Sequence, residues 1–361
     1  MRCLRRLILG LMMAIPLPAM AQECIGKSCI GDPFVEEGCL GQGCLGEGCG
    51  ADGCSHGAGC GSGLFGGCGL FGGCGQCGSG CGLDLGSLLV SDDKLLGLFA
   101  HSDKCFTNFI SPMTNPVYFE DPRTLTEARF IFINHHLPAN LGGQNVQVIA
   151  AQARLALTDK LSIIATKDGF ITSQNPLVQD GFADVSAGLK YNIFRDVETQ
   201  TIASVGTTFE MPVGSTRSLQ GNGDGEFHLF ATGGTEFLPY WHWVSGTGFR
   251  LPVDRSAENQ IWYWSNHLDR QLGDSGLYLF TECNWYSYLS SGSAFPAPIG
   301  GDDLFNFGSP AMGGANFVSG AFGVKYKPSV NSELGLAYEF PYSQRKDIMK
   351  DRLTVDFIIR Y

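Results

Sequence analysis

The chain has 361 residues, of which 16% are charged, 50 are glycine and 14 are cysteine, and its formal net charge is −11. The low charged content excludes a highly charged disordered chain, and the acidic balance argues against nucleic acid as the main partner. Because glycine, cysteine and aromatic residues are segregated along the sequence, their distribution indicates the class of protein better than their totals do.

Residues 1–21 have the features of an export signal. An arginine-rich start precedes an apolar run from Leu7 to Leu17, and Ala19-Met20-Ala21 matches the small-x-small pattern at which such signals are cleaved. The apolar run is shorter than the roughly 20 residues that a membrane helix needs, so an N-terminal anchor is the weaker alternative. We predict that the chain is exported.

Residues 22–86 form a segment rich in glycine and cysteine. Eleven of the 14 cysteines lie between Cys24 and Cys81, and from Cys39 to Cys54 they recur at every fifth position. Glycine-rich sequence buries no ordinary core, and disulfides are the usual remedy in an exported chain. We predict a module that is either disordered or disulfide-linked, within itself or to a partner. A metal site at Cys74-Gly75-Gln76-Cys77 is a weaker alternative, and we assign no metal and no cofactor.

Residues 87–123 are interpreted as a connector. Leucines cluster between residues 83 and 99, which favours a short amphipathic helix, and proline and turn residues are dense at 111–116 and 120–123. The pattern is compatible with a free linker and with a segment that folds back into the next domain as a plug.

From residue 124 to the C-terminus, apolar residues recur at every second position. Between Asp184 and Ile193 the odd-numbered residues are apolar, aromatic or alanine, whereas the even-numbered residues are polar, charged or glycine. The pattern predicts an all-β fold of about twelve antiparallel strands. We place them at 125–137, 145–158, 160–167, 184–193, 200–211, 226–238, 241–252, 258–268, 276–289, 315–328, 333–340 and 352–361.

Three features favour a transmembrane β-barrel of the outer membrane over a soluble sheet protein. Aromatic residues cluster near predicted strand ends, as at 240–243, 262–264 and 285–288, where interfacial girdles are expected. The polar faces carry charges of both signs, which suits a hydrated lumen. The last strand ends on Tyr361, which resembles the terminal signal read by the barrel-assembly machinery.

Several short motifs between residues 124 and 361 resemble a bacterial outer-membrane barrel family. They are Gly181-Phe182-Ala183-Asp184 running into Gly188-Leu189-Lys190-Tyr191, the Phe209–Gly214 and Glu282–Tyr286 segments, and residues 323–328 and 338–341. The family is named after the MetA pathway of phenol degradation, and its label does not denote an enzymatic activity. The resemblance implies a barrel that conducts or takes up small molecules, hydrophobic ones among them. It does not explain the cysteine-rich module.

Residues that could carry catalysis are scarce. His135, His136, His228, His242 and His267 lie on predicted strands, and we interpret them as polar lumen or interface residues rather than metal ligands. The sequence contains no Gly-x-Ser-x-Gly elbow. A Ser–His pair on the outer wall, as in barrels that hydrolyse lipids, is a disfavoured alternative. We predict no catalytic, cofactor or metal site and no enzyme activity.

Alternation directs a set of polar and charged side chains towards the barrel interior. Because both signs occur in similar number, no strong ion filter is expected, and the charges either fill the lumen as ion pairs or line a path. The predicted lumen-facing residues are Glu127, Arg129, Arg154, Asp184, Lys190, Glu210, Glu226, Arg250, Glu282, Asn284, Lys325, Glu333, Glu339, Arg352, Asp356 and Arg360.

These observations predict a passive channel or uptake route for small solutes in the outer membrane. The expected partners are outer-membrane lipid, small solutes, the barrel-assembly machinery through the Tyr361 strand, and a disulfide-linked partner through Cys24–Cys81. Nucleic acid is not among them. The alternative function is structural, with the barrel as an anchor and the cysteine-rich module, facing the periplasm, as a cross-link within the envelope.

Overall fold

A computed structural model describes residues 90–91 and 94–361 of the protein. The predicted export signal and the glycine- and cysteine-rich module lie outside the described residues. The strands are β1 (Val90–Ser91), β2 (Lys94–Leu95), β3 (Glu127–His136), β4 (Asn145–Ala156), β5 (Leu161–Lys167), β6 (Phe170–Ser173), β7 (Gly181–Phe182), β8 (Val185–Asp196), β9 (Thr201–Met211), β10 (Glu226–Leu238), β11 (Trp241–Pro252), β12 (Ile261–Gln271), β13 (Leu277–Tyr288), β14 (Asn316–Ser329), β15 (Ser332–Pro341) and β16 (Asp351–Arg360).

Strands β3 to β16 form one closed antiparallel sheet. Neighbours in sequence are paired around the wall, and β16 pairs with β3, so the sheet has no open edge. Strands β5 and β6 lie end to end along β4, and β7 leads directly into β8. Counting each of these pairs as one strand gives the predicted twelve-stranded barrel, and the all-β prediction is confirmed.

The predicted strand ends are within three residues of those in the structure, apart from β6 and β7, where the sequence analysis places no strand. Asp168-Gly169 is a dipeptide typical of turns, but here it makes only a short break between β5 and β6. Gly169 has a φ of +118°, a conformation that glycine adopts without steric cost, and the chain resumes pairing with β4 immediately afterwards.

The two faces of the wall have opposite character. In β8, Leu189, Tyr191 and Ile193 are exposed on the outside, whereas Lys190 and Asn192 are buried inside. Exposed Leu, Ile, Phe, Tyr and Trp side chains recur on the outer face of the other long strands as well. An apolar surface of this extent is unsuited to water and matches the lipid-facing band of outer-membrane barrels. The chain is therefore an outer-membrane barrel.

The two ends of the barrel differ in loop length. At the end where β3 begins and β16 finishes, the strands are joined by short turns such as 197–200 and 239–240. At the opposite end the connections are longer, and the longest covers residues 289–315. Short turns face the periplasm in barrels of this kind.

Two expectations from the sequence are wrong in detail. The sequence predicts a helix over residues 83–99. The described residues of this stretch instead form a small hairpin, in which β1 pairs with β2 and Leu95 bridges to Phe99. Gly97, which lies in the turn between Leu95 and Phe99, has a φ of +69°, a conformation that glycine adopts readily. Among the described residues, no helix is long and apolar enough to cross a membrane.

The predicted aromatic girdles are also only partly correct. In Trp262-Tyr263-Trp264 the tryptophans face outwards, but Tyr263 is buried in the interior, as are Tyr286 and Tyr288. Adjacent residues on a strand point to opposite faces, so a run of aromatic residues cannot belong entirely to the girdle.

Candidate functional site: the occupied barrel lumen

Residues 106–126, which we call the inner segment, occupy the barrel interior. The segment is anchored at the short-turn end, where the N–H of Asp103 donates to the carbonyl of Thr124 and the N–H of Ser102 donates to the carbonyl of Tyr361. Asp103 and Thr124 are neighbours in space, joined by this hydrogen bond. The chain between them therefore enters the lumen and returns to the same end. The side chains of Phe106, Met113 and Phe119 are buried there.

Side chains from seven wall strands bind the backbone of the inner segment. An irregular segment has no ladder of its own, so its buried carbonyl groups need donors from elsewhere. Seven wall side chains donate to these carbonyls. The donor and carbonyl pairs are Lys325 and Ser111 (2.8 Å), Arg129 and Pro112 (2.9 Å), Gln152 and Pro116 (2.7 Å), Tyr263 and Tyr118 (2.7 Å), Thr232 and Glu120 (2.8 Å), Lys190 and Asp121 (2.6 Å), and Ser204 and Pro122 (2.6 Å).

Ion pairs between the wall and the inner segment accompany these hydrogen bonds. Arg154 binds both oxygens of Glu120 at 2.7 and 2.6 Å, and Nζ of Lys190 lies 2.8 Å from the same carboxylate. The guanidinium of Arg154 also lies 2.8 Å from Glu127. Buried charges need such partners, because an uncompensated charge in the interior costs several kcal/mol.

Glu333 is the centre of a second group of ion pairs, which lies near the short-turn end of the barrel. Its carboxylate lies 2.5 Å from Arg360, 3.3 Å from Lys325 and 3.7 Å from Lys327, and it accepts a hydrogen bond from the N–H of Ser111 at 3.2 Å. Arg123 of the inner segment lies 4.0 Å from it as well, so four cations share one wall carboxylate that also holds the inner segment.

A chain of histidine and carboxylate side chains extends from the inner segment across β12. The N–H groups of Met113 and Thr114 donate to Glu282 at 2.8 and 2.6 Å. Glu282 lies 2.6 Å from Nδ1 of His267, whose Nε2 lies 3.1 Å from Asp269. Asp269 in turn lies 2.7 Å from His242. Among the described residues, no group of three or more His, Cys, Asp or Glu side chains could hold a metal ion.

Residues 289–315, which we call the cap loop, cover the lumen at the long-loop end. Arg352 binds the Asp303 carboxylate at 2.7 and 3.0 Å, and Arg250 donates to the carbonyl of Asp302 at 2.8 Å. Burial, reinforced by the neighbouring Asp347 carboxylate, raises the pKa of Asp302 well above its ordinary value. A neutral Asp302 side chain avoids an unpaired charge in the cap loop.

The structure places all sixteen predicted lumen residues in buried positions, and each has a hydrogen-bonding or ionic partner. Arg129, for example, lies 2.9 Å from Asp356, and Asn284 donates to Glu339 at 3.1 Å. Asp184 differs from the rest because it lies between β7 and β8, where it accepts from the N–H groups of Gly214 and Gly221.

Several residues of this site were not among the predicted ones. Glu120, Asp121 and Arg123 lie in the inner segment and Asp303 in the cap loop, where no periodic pattern marks an inward direction. Asp269 is on β12, and the alternation that places His267 inside would have identified it.

Comparison with known proteins shows likeness of fold only. No family model and no curated protein sequence matches the chain. Among solved structures, the COG4313 outer membrane channel from Pseudomonas putida F1 has 12% identity and a TM-score of 0.49, covering 70% of this chain and all of that one. The NanC porin has 8% identity and a TM-score of 0.43, over 65% of this chain and 99% of its own. The CymD monoaromatic hydrocarbon channel has 10% identity and a TM-score of 0.33, over 65% and 88%.

Proposed function

We propose that the protein is a passive outer-membrane channel for small solutes and that the inner segment closes it. The observation that carries the proposal is the way in which this segment is held. Its carbonyl groups bind wall side chains rather than the edges of wall strands, so the segment can leave the lumen while the sheet remains closed. The vacated wall side chains can then be hydrated.

The composition of the lumen supports a channel over a simple anchor. A barrel that only anchors a module has no need of a charged interior, because burying charges costs free energy unless every one is paired. The interior of a twelve-stranded barrel is wider than that of an eight-stranded barrel, which side chains alone can fill. Here the inner segment occupies the additional space, and its removal would leave a hydrated passage lined by both signs of charge.

We also propose membership of the MetA-pathway barrel family, on the motifs between residues 124 and 361. Hydrophobic solutes are then included among the molecules that the channel would pass. The barrel-assembly machinery as a partner of the Tyr361 strand stays a prediction.

Single-channel recording in planar bilayers tests the proposal. The variant replaces residues 105–122 with a short Gly-Ser linker, which the proximity of Asp103 to Thr124 allows. We expect brief, rare openings from the full chain and steady conductance from the variant. Heat-modifiable gel mobility verifies that both barrels are closed. If both barrels fold and neither conducts, the channel function is wrong.

The structural alternative rests on cysteines outside the described residues. It predicts that the chain runs as a disulfide-linked species on non-reducing gels and that deleting residues 24–81 abolishes that species without affecting barrel assembly. A purely monomeric chain under non-reducing conditions would contradict it.

A further inference from the structure

Lys190 differs from the other buried cations of the barrel wall in its partners. Its Nζ lies 2.8 Å from the Glu120 carboxylate and donates to the carbonyl of Asp121 at 2.6 Å, and both acceptors belong to the inner segment. Among the described residues, no wall carboxylate lies within ion-pairing distance of Lys190. Its counter-charge therefore leaves the lumen together with the inner segment.

The other buried cations of the wall keep a counter-charge when the inner segment leaves, because each is also paired with a carboxylate on a wall strand. These pairs are Arg129 with Asp356, Arg154 with Glu127, Lys167 with Glu210, Arg250 with Glu226, Lys325 and Lys327 with Glu333, Arg352 with Glu339, and Arg360 with both Glu127 and Glu333.

Arg154 completes the position that the Glu120 carboxylate occupies. Its Nε and Nη2 bind the two carboxylate oxygens at 2.7 and 2.6 Å, the forked geometry in which a guanidinium group recognises a carboxylate. Arg154 and Lys190 are each 1% exposed and belong to strands β4 and β8. Both donors therefore stay in place when the inner segment leaves, because the sheet that carries them remains closed.

Ser162 adds an unbonded hydroxyl beside this position. It lies on β5 and is paired in register with Lys190 on β8. The side chain is fully buried, and its Oγ has no hydrogen-bond partner among the described residues. A buried hydroxyl without a partner is costly, so this part of the wall has hydrogen-bonding capacity that the closed state does not use.

The charges around the position match a single negative charge. Arg154 and Lys190 contribute two positive charges, and Glu127, which lies 2.8 Å from Arg154, contributes one negative charge that stays in the wall. A monocarboxylate balances the remainder. A phosphate dianion brings a second negative charge close to Glu127 and is disfavoured by repulsion.

We propose that the open lumen binds a small monocarboxylate between Arg154 and Lys190, where the Glu120 side chain lies in the closed state. One carboxylate oxygen accepts from Nε of Arg154 and Nζ of Lys190, and the other accepts from Nη2 of Arg154. The solute and Glu120 compete for one site, so the solute favours the open state. The site deepens the proposed function and rests on it, because the solute reaches a vacant site only when the inner segment has left.

Methyl NMR of the full-length Glu120→Ala chain, refolded in detergent micelles, tests the site without any measurement of conductance. The variant removes the competing carboxylate and leaves Arg154 and Lys190 in place. The probes are acetate and acetamide, which have equal numbers of non-hydrogen atoms but differ in charge. The δ1 methyl group of Ile164 reports binding, because this buried side chain lies on β5 in register with Arg154.

We expect acetate to shift the Ile164 signal saturably. Acetamide should bind at least about tenfold more weakly, because its hydrogen bonds to the two cations lack the assistance of a negative charge. Inorganic phosphate should also bind more weakly than acetate. The natural chain, in which Glu120 fills the site, should show no saturable shift at the same acetate concentrations.

Three lysine variants in the Glu120→Ala background separate the site from general effects on the barrel. Lys190→Met should weaken acetate binding at least about tenfold, whereas Lys190→Arg keeps the positive charge and should retain binding. Lys346→Met makes the same chemical change in an exposed loop and should bind acetate like its parent. Heat-modifiable gel mobility verifies that each barrel is closed. The comparison of acetate with acetamide needs only the Glu120→Ala chain and does not depend on the folding of Lys190→Met.

Single-channel recording of the natural chain tests the competition with Glu120. While openings are rare, acetate should raise the open fraction by a factor of about 1 + [acetate]/Kd, which is about threefold at twice the Kd. Acetamide at the same concentration should leave it unchanged. An open fraction that acetate does not raise, in a chain whose Glu120→Ala variant binds acetate, would overturn the competition.

Absence of a saturable Ile164 shift in Glu120→Ala, or equal affinity for acetate and acetamide, would overturn the site. Equal loss in Lys190→Met and Lys346→Met would overturn it too, and phosphate binding as tight as that of acetate would overturn the assignment to carboxylates. A barrel that binds acetate but never conducts contradicts the channel and leaves the site standing. A conducting barrel without acetate binding does the reverse.

Discussion

Arg154 on β4 and Glu120 in the inner segment form a forked ion pair in the barrel interior, with N–O distances of 2.7 and 2.6 Å. Lys190 on β8 contacts the same carboxylate from a different part of the wall, at 2.8 Å. Two cations from separate strands therefore converge on one anion of the inner segment. This is where the closed state depends most directly on a single side chain.

The first prediction is that Glu120→Ala opens the channel. The closed state of this variant leaves Arg154 and Lys190 without the Glu120 carboxylate, whereas in the open state water solvates them. Since an uncompensated buried charge costs several kcal/mol, we expect the open fraction to rise at least about tenfold in planar bilayers.

Asp274→Ala, in an exposed turn, is the control for this variant and should conduct like the natural chain. The double variant Glu120→Ala, Lys190→Met also removes one of the two cations that Glu120→Ala leaves unpaired. Its open fraction should therefore be lower than that of Glu120→Ala alone. An unchanged open fraction in Glu120→Ala would show that the ion pair does not hold the segment.

The second prediction concerns Glu282, which accepts from the N–H groups of Met113 and Thr114 while it contacts His267. Glu282→Gln keeps the shape but offers one oxygen in place of two, and its amide N–H₂ cannot accept. One or both backbone N–H groups lose their acceptor. We expect an increase of about threefold to tenfold in the open fraction, by single-channel recording.

Glu198→Gln, in the exposed turn between β8 and β9, makes the same chemical change away from the lumen and should have no effect. If Glu282→Gln conducts like this control, the hydrogen bonds to Met113 and Thr114 do not contribute to closure.

The wall of this barrel could be predicted from the sequence, and its contents could not. Alternation identified Arg154, Lys190 and Glu282 as inward residues, because side-chain direction in a strand is set by position alone. Glu120 lies in an irregular, proline-containing segment whose partners come from strands distant in sequence, and no local pattern encodes that pairing. The same holds for Asp303, which meets Arg352 across the lumen from the middle of the cap loop.

The third prediction concerns Gly169, where β5 gives way to β6. Its φ is +118°, and a β-carbon there would lie 2.5 Å from the carbonyl oxygen of Ile149. Gly169→Ala therefore forces apart the backbones of two wall strands, and we expect a loss of about 2–4 kcal/mol in stability. A lower midpoint temperature for the heat-modifiable gel shift measures the effect.

Gly273→Ala provides a matched comparison. Gly273 also has a positive φ, of +56°, but a β-carbon there would meet nothing within 4 Å. Only the backbone conformation is penalised, by about 1 kcal/mol. If the two alanine variants have equal midpoints, close packing at Gly169 is not a constraint on the wall.

The fourth prediction is a pH dependence that originates at Glu258, in the loop between β11 and β12. This carboxyl group is 4% exposed, and burial, together with the negative charges of Glu226 and Glu210, raises its pKa to about 9. In the unfolded chain the pKa returns to an ordinary glutamate value near 4.3. Between these two values the folded state binds one more proton than the unfolded state, so stability should fall as the pH rises from about 5 to 9 and then level off.

Glu258→Gln mimics the protonated side chain at every pH and should remove this contribution. We expect the variant to match the natural chain near pH 4 and to exceed its stability at pH 9, by about 6 kcal/mol at most. The measurement is the midpoint of the heat-modifiable gel shift across this pH range, with Glu198→Gln as the control that keeps the natural slope. A Glu258→Gln barrel whose midpoint falls with pH as steeply as that control would show that Glu258 is ionised in the folded protein, in which case the charges around Arg250 must be balanced differently.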